Sequence, residues 1–207
     1  MSEPLDRLLR EIEACRICLK HPKRPLPHEP RPVLVASDSA KILIASQAPG
    51  TRVHASGVAF DDRSGDRLRE WLGMTREEFY DPSRLAIVPM GFCFPGLDAH
   101  GGDRPPRAEC APAWRAPLLA LMPQVELVLV IGLYAQAWHL GADRGPSVDA
   151  TVRDWRRIFE RPGLPKCLPL PHPSWRNTGW LKRNPWFESE VLPVLRAEVA
   201  RLARKAG

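Results

Sequence analysis

The run Glu126–Ile131 reads Glu-Leu-Val-Leu-Val-Ile, apolar at every position after its first. A strand of this kind has no face to offer to water, so it belongs to a parallel sheet covered on both sides. Gly132 then leads directly into a helical pattern that runs through Leu140. Three further segments read as strands: Lys41–Ala45, Arg84–Pro89 and Lys166–Leu170. Helical patterns separate them. One starts at Ser64, a residue suited to an N-cap, and closes at Gly73, and Thr75 with Glu78 forms a capping box that opens another. Others are expected over Ala108–Leu121, where Pro112 and Pro117 blur the start, over Val148–Phe159 and over Trp186–Lys205. Alternating strands and helices predict an α/β fold, a three-layer α/β/α sandwich around a mostly parallel four-stranded sheet.

The chain of 207 residues is long enough for one domain with a full core. Ahead of the sheet stand a short amphipathic helix, Pro4–Ala14, and a Pro-rich irregular segment, His21–Pro32. Residues 1 to about 40 therefore read as an extension to a single domain. The apolar runs fall short of a membrane span, and the first helix has no signal-peptide core. A cytoplasmic protein is expected, whose five cysteines are not paired as disulfides. Arg and Lys exceed Asp and Glu by 30 − 24 = 6, a balance that favours a polyanionic partner. The tail sharpens this: Arg176, Lys182, Arg183, Arg196, Arg201, Arg204 and Lys205 are opposed by only Glu188, Glu190 and Glu198. A solvated helix face accounts for the same residues equally well.

Ligands of an open α/β sheet bind beyond the carboxyl ends of its strands. Lys41–Ala45 runs there into Ser46-Gln47-Ala48-Pro49-Gly50, and the loop continues to Phe60-Asp61-Asp62-Arg63-Ser64. A stacking surface and two acids thus arrive near the start of a helix, where backbone N–H groups favour negative charge. One of the acids is expected to cap the helix and the other to act, with Asp62 favoured over Asp61 for chemistry. His54 and Ser56 share the loop, either as substrate contacts or as exposed polar residues. The last strand ends in Pro171-His172-Pro173-Ser174-Trp175-Arg176-Asn177. Flanking prolines restrict the backbone on both sides of His172 and fix its imidazole. Ser174, Arg176 and Asn177 are donors for phosphate or base, and Trp175 can wedge or stack.

Cys15 and Cys18 form a C-x2-C, and Cys93 and Cys110 stand at the two ends of a long Gly/Pro loop. Four such thiolates can wrap a tetrahedral zinc or an iron–sulfur cluster. Four unrelated buried thiols are the alternative, since Cys is common in cores. A metal would fasten the extension, which has little apolar content of its own. Cys167 lies within a strand and reads as core.

Together these segments resemble the uracil-DNA glycosylase superfamily. Gln47-Ala48-Pro49-Gly50 is similar to its first motif, Phe60 to its base-stacking aromatic, and His172-Pro173-Ser174 to its second motif. The cysteines match in order and rough spacing the iron–sulfur branch called family 4. The resemblance implies a DNA repair enzyme, a monomer, that flips and hydrolytically releases uracil or another deaminated base and leaves an abasic site. It implies a base pocket of Gln47, Ala48, Phe60 and His172, catalysis by His172 with Asp62 or Asp61, and DNA contacts through Ser174, Trp175, Arg176 and Asn177. It also implies a [4Fe-4S] cluster on Cys15, Cys18, Cys93 and Cys110. Two departures stand out. The iron–sulfur branch carries Glu where this chain has Gln47, and a base-reading Asn before the third cysteine, where this chain reads Val88-Pro89-Met90-Gly91-Phe92. They keep two other functions open: a binder of damaged or abasic DNA without catalysis, and a hydrolase of small N-glycosidic substrates.

Overall fold

The computed structural model describes residues 2–20 and 25–203. His21 of the Pro-rich segment, and Arg204 and Lys205 of the basic tail, lie outside the described residues. The chain opens with α1 (Glu3–Glu13), which buries Leu5 and Ile12, and a 3-10 turn (Ile17–Lys20). Then follow β1 (Ile42–Ala45), α2 (Thr51–Ser56), α3 (Arg63–Leu72), α4 (Arg76–Phe79) and β2 (Leu85–Ile87). Next come α5 (Cys110–Ala120), β3 (Leu127–Ile131), α6 (Gly132–Leu140), α7 (Val148–Arg153) and α8 (Trp155–Phe159). The C-terminal part holds β4 (Lys166–Leu170), α9 (Thr178–Arg183), a π-helical turn (Phe187–Val191) and α10 (Leu192–Ala203).

The four strands form one sheet in the order β2-β1-β3-β4. Every pairing is parallel, with Ile42 opposite both Leu85 and Leu127, and Leu127 opposite Lys166. The expectation of a mostly parallel sheet is thus met in full. Both faces are covered, as the unbroken apolar strands require. Ile42, Ile44, Leu127 and Leu129 pack toward Trp71, Phe79 and Phe187 on one side. Leu43, Ala45, Val128 and Val130 pack toward Leu5, Ile12, Leu118 and Ala135 on the other. Each such Val, Leu or Ile side chain stabilises the fold by roughly 1.5–3 kcal/mol on burial. Gly132, at φ 79°, lets β3 turn into α6 without an intervening residue. The outer edge of β2 is shielded by Val35, which exchanges two backbone hydrogen bonds of 2.8 Å with Ile87.

Five expectations are corrected. The N-cap of α3 is Asp62, two residues ahead of Ser64. The helix expected over Val148–Phe159 is two, because Asp154 leaves helical geometry (ψ 18°) between them. The segment Pro171–Pro185 is not all loop. It contains α9, which weak formers such as Thr178 and Gly179 conceal and which packing secures: Trp180 donates its indole N–H to Asp149 (2.6 Å). The last helix begins with the π-helical turn, and α2 is a short helix that the Pro-Gly signal hid. The capping box of Thr75 and Glu78 is present, with both hydrogen bonds made.

Candidate functional site

β1 and β3 are the two central strands, and the chain leaves them toward opposite edges of the sheet. Such a switch point opens a crevice at the carboxyl ends of the strands. The turn after β1 is held there by backbone: Ser46 C=O accepts from Met90 N–H (2.8 Å) and Gln47 C=O from Gly91 N–H (3.0 Å). The side-chain amide of Gln47 has no hydrogen-bond partner among the described residues.

Phe60 has φ 56°, a left-handed conformation that is an outlier for a bulky side chain. Two contacts enforce it. Gly65 presses against its backbone so closely that a Cβ there would stand 1.8 Å from the Phe60 carbonyl oxygen. The Phe60 ring meets Phe79 edge-on at 6.2 Å between centroids. Strain of this kind, held by its surroundings, is common at ligand sites. Two residues later, Asp62 Oδ1 accepts from Gly65 N–H at 2.9 Å and caps α3. Asp61 points elsewhere and pairs with Arg76 (2.9 Å), which holds its carboxyl below the usual carboxylate range.

The opposite wall comes from the loop after β4. His172 Nδ1 accepts from Ser174 N–H (3.2 Å), which leaves the ring proton on Nε2. Burial pushes the imidazole pKa down, and the Asp62 carboxylate opposes that only in part. His172 is therefore neutral at pH 7, with one N–H to donate. Asn177 donates to the His172 carbonyl (2.7 Å), and Arg67 of α3 donates to the Ser174 carbonyl (3.0 Å). The two walls are thus tied together.

Between them lies a cavity of about 570 Å³, within the range of small-ligand sites. Gln47, Ala48, Phe60, Asp62, His172, Ser174, Trp175 and Arg176 all line it. Trp175 is 71% exposed at its mouth, with the Arg176 guanidinium 5.9 Å from its ring centroid. Of the expected residues, Asp61 and Asn177 do not line the cavity. Asn177 acts behind it, on the backbone of His172. His54 and Ser56 are also outside it: His54 packs against His28 (4.2 Å between centroids) and Phe94, and Ser56 Oγ accepts from Val58 N–H. The sequence reading missed Arg52, Arg63 and Asp103, which line the same cavity. Arg52 could have been found from its place in the first turn after Pro49-Gly50. Asp103 gives no such signal, because it enters from the middle of a long loop.

Cys15, Cys18, Cys93 and Cys110 border a second, small cavity, otherwise lined mainly by apolar side chains such as Ile12, Ile17, Phe92 and Trp114. The extension and the two ends of the long loop do meet there. Among the described residues, no three His, Cys, Asp or Glu side chains converge closely enough to hold a single metal ion. Burial pushes the Cys93 thiol up to about 11 and the Cys110 thiol to about 12. Arg107 lines the cavity as well. Cys167 is half-buried against the α1 side of the sheet.

The all-parallel α/β sandwich thus holds at its switch point an open cavity walled by an aromatic, a carboxylate and a neutral histidine and rimmed by arginines. The sequence model of the Uracil DNA glycosylase superfamily matches residues 33–196, and the chain belongs to that superfamily. Membership points to DNA glycosylase-type hydrolytic chemistry with DNA as substrate. Among the described residues no helix is long and apolar enough to cross a membrane.

Proposed function

We propose that the protein releases uracil, or a related deaminated base, from DNA by hydrolysing its N-glycosidic bond. The observation that carries this reading is the single cavity that gathers Gln47, Phe60, Asp62 and His172 from two loops at the carboxyl edge of the sheet. A flipped base would lie on the Phe60 ring, with the Gln47 amide at its edge. As the glycosidic bond breaks, the sugar gains positive charge and the base negative charge. His172 would donate Nε2–H to the base oxygen, and a preorganised donor of this kind is worth about 2.7–4 kcal/mol. Asp62 would face the sugar. Trp175 would occupy the gap left in the base stack, and Arg52, Arg63 and Arg176 would take the phosphates. Flipping costs a few kcal/mol, least at a mismatch such as uracil opposite guanine.

The four cysteines border one cavity and would be the ligands of a [4Fe-4S] cluster, with zinc as the alternative. The cluster would join the extension to the long loop. A brown protein with broad visible absorption supports this assignment, and a colourless preparation carrying stoichiometric zinc overturns it.

The activity is tested by incubating the protein with uracil-containing duplex and single-stranded DNA, followed by alkali. Strand breaks at the uracil are expected. No breaks with uracil, hypoxanthine or xanthine substrates would exclude base excision. One observation favours a second reading, a binder of abasic DNA: position 47 cannot ionise, and Asp62 gives one oxygen to its helix. That reading requires tight, salt-sensitive binding to an abasic site with no base release.

A further inference from the structure

The carboxylates available to the cavity are unequal. Asp61 is held outside by Arg76. Asp62 lines the cavity but spends Oδ1 on Gly65 N–H. Asp103 lines the cavity too, and among the described residues its carboxylate has neither a hydrogen-bond nor an ion-pair partner. Its Oδ2 stands only 3.3 Å from where a Cβ on Gly50 would be, so the carboxylate rests against the Pro49-Gly50 turn that ends the first motif.

Asp103 is not placed by a loose loop. Leu97 and Asp103 form an antiparallel bridge. Asp98 N–H donates to Gly102 C=O (2.8 Å) and Arg104 N–H to Gly96 C=O (2.9 Å). Asp98 Oδ1 accepts from the N–H groups of His100 (2.8 Å) and Gly102 (2.9 Å). A small hairpin is thereby closed, and it presents Asp103 over the first motif. Asp103 is exposed as a whole, but the part of its carboxyl turned to the wall is desolvated, which raises it above its ordinary range, with Arg176 opposing and Asp62 and Asp98 adding to the rise.

We infer that Asp103 is a catalytic residue, the general base for the water that attacks the sugar. The inference rests on the base-excision reading above. In the step, the bond between sugar C1′ and the base nitrogen breaks, and its electron pair leaves with the base, whose oxygen is held by His172 Nε2–H. Water oxygen forms the new bond to C1′ and gives one proton to Asp103. The proton then passes to the departing base anion. The products are the free base and the abasic hemiacetal, with no redox partner needed. Asp62 faces the positive sugar. Asp103 thus shares with inverting glycoside hydrolysis only the carboxylate that activates water, the leaving group being held by His172.

The test is single-turnover base release by the wild type, Asp103→Asn and Asp98→Asn, with abasic-DNA affinity and a pH–rate profile measured for each. Asp103→Asn should slow release by about 10²–10⁴-fold, the usual worth of a general base. It should keep abasic-DNA affinity within threefold and lose the acidic limb of the profile. Asp98→Asn, which only loosens the hairpin, should slow release less and keep that limb. Asp103→Asn within threefold of an active wild type overturns the assignment and leaves base excision standing. A matching loss of abasic-DNA affinity overturns it in favour of a structural role. A wild type that releases no base overturns both.

Discussion

At the scale of single residues, the site depends on a few backbone placements that small changes would undo. Gly65→Ala would set a methyl 1.8 Å from the Phe60 carbonyl. A cost of about 1–3 kcal/mol is expected, as for other overpacked sites, seen as a lower urea midpoint and a sharp loss of base release. Asn177→Ala removes the 2.7 Å bond to the His172 carbonyl. Loss of one such bond, about 0.5–1.5 kcal/mol, should slow base release up to roughly tenfold and lower the melting temperature by no more than a few degrees. His139 gives a pH signature away from the site. It accepts from the fully buried Arg115 (2.6 Å), and burial and that neighbouring charge push its pKa down to about 3. The unfolded chain takes up this proton near pH 6.5, and the folded chain refuses it until about pH 3. Stability should therefore fall as pH drops from about 6.5 toward 3, at up to about 1.4 kcal/mol per unit. Denaturation midpoints across that range check it, and His139→Gln, a neutral acceptor, should flatten the dependence.

At the scale of elements, helix ends hold the layers in register. Arg196 of α10 donates to the carbonyls of Trp71 (3.2 Å) and Glu70 (3.1 Å), the last turn of α3. Arg196→Ala should lower stability by about 1 kcal/mol, measured by thermal melts, and should leave the cavity residues in place. Elements of this kind were unevenly legible in the sequence. The four strands were readable because Leu43, Val128 and their neighbours are apolar without alternation, which only burial on both faces explains. The α4 capping box was readable because Thr75 and Glu78 meet through local bonds alone. The cap of α3 was open between Ser64 and the two acids because Ser and Asp are equal as caps in sequence, and an acid, Asp62, takes it. Only the turn at Phe60 decides for Asp62. Helix α9 was hidden because its stability comes from contacts such as Trp180 with Asp149, absent from local pattern. Asp103 was hidden for the same reason: the hairpin that delivers it is built from backbone bonds within a stretch that reads only as Gly and Pro.

At the scale of the whole molecule, charge and architecture converge on one face. The excess of six positive charges is not spread evenly in function, since Arg52, Arg63 and Arg176 all border the cavity. Binding to abasic DNA should weaken steeply with salt, and Arg52→Ala should reduce the slope of log affinity against log salt by about 1. Titrations at several salt concentrations test this. Some cations elsewhere are matched by acids, as with Arg157 and Arg161 on Asp143 and Arg201 on Glu126. The extension is also secured without any metal. Arg31 donates to the carbonyls of His54 and Ala55 (2.7 Å each) and Ser56 (3.2 Å), the end of α2. The turn that forms the first wall is therefore braced from the N-terminal segment.

The strand order also bears on how the chain reaches its native state. The central pairing joins Ile42 to Leu127, the most distant partners in the sheet, whereas Leu85 lies nearer to β1 and Lys166 nearer to β3. Closing that long loop carries the largest entropic cost and should come after the two nearer pairings. One wall of the cavity belongs to the β1–β2 half and the other to the β3–β4 half. Neither half alone can hold a base, so a partly folded chain is inert toward DNA. In refolding experiments, base release should return with the slowest phase rather than with the first gain of secondary structure.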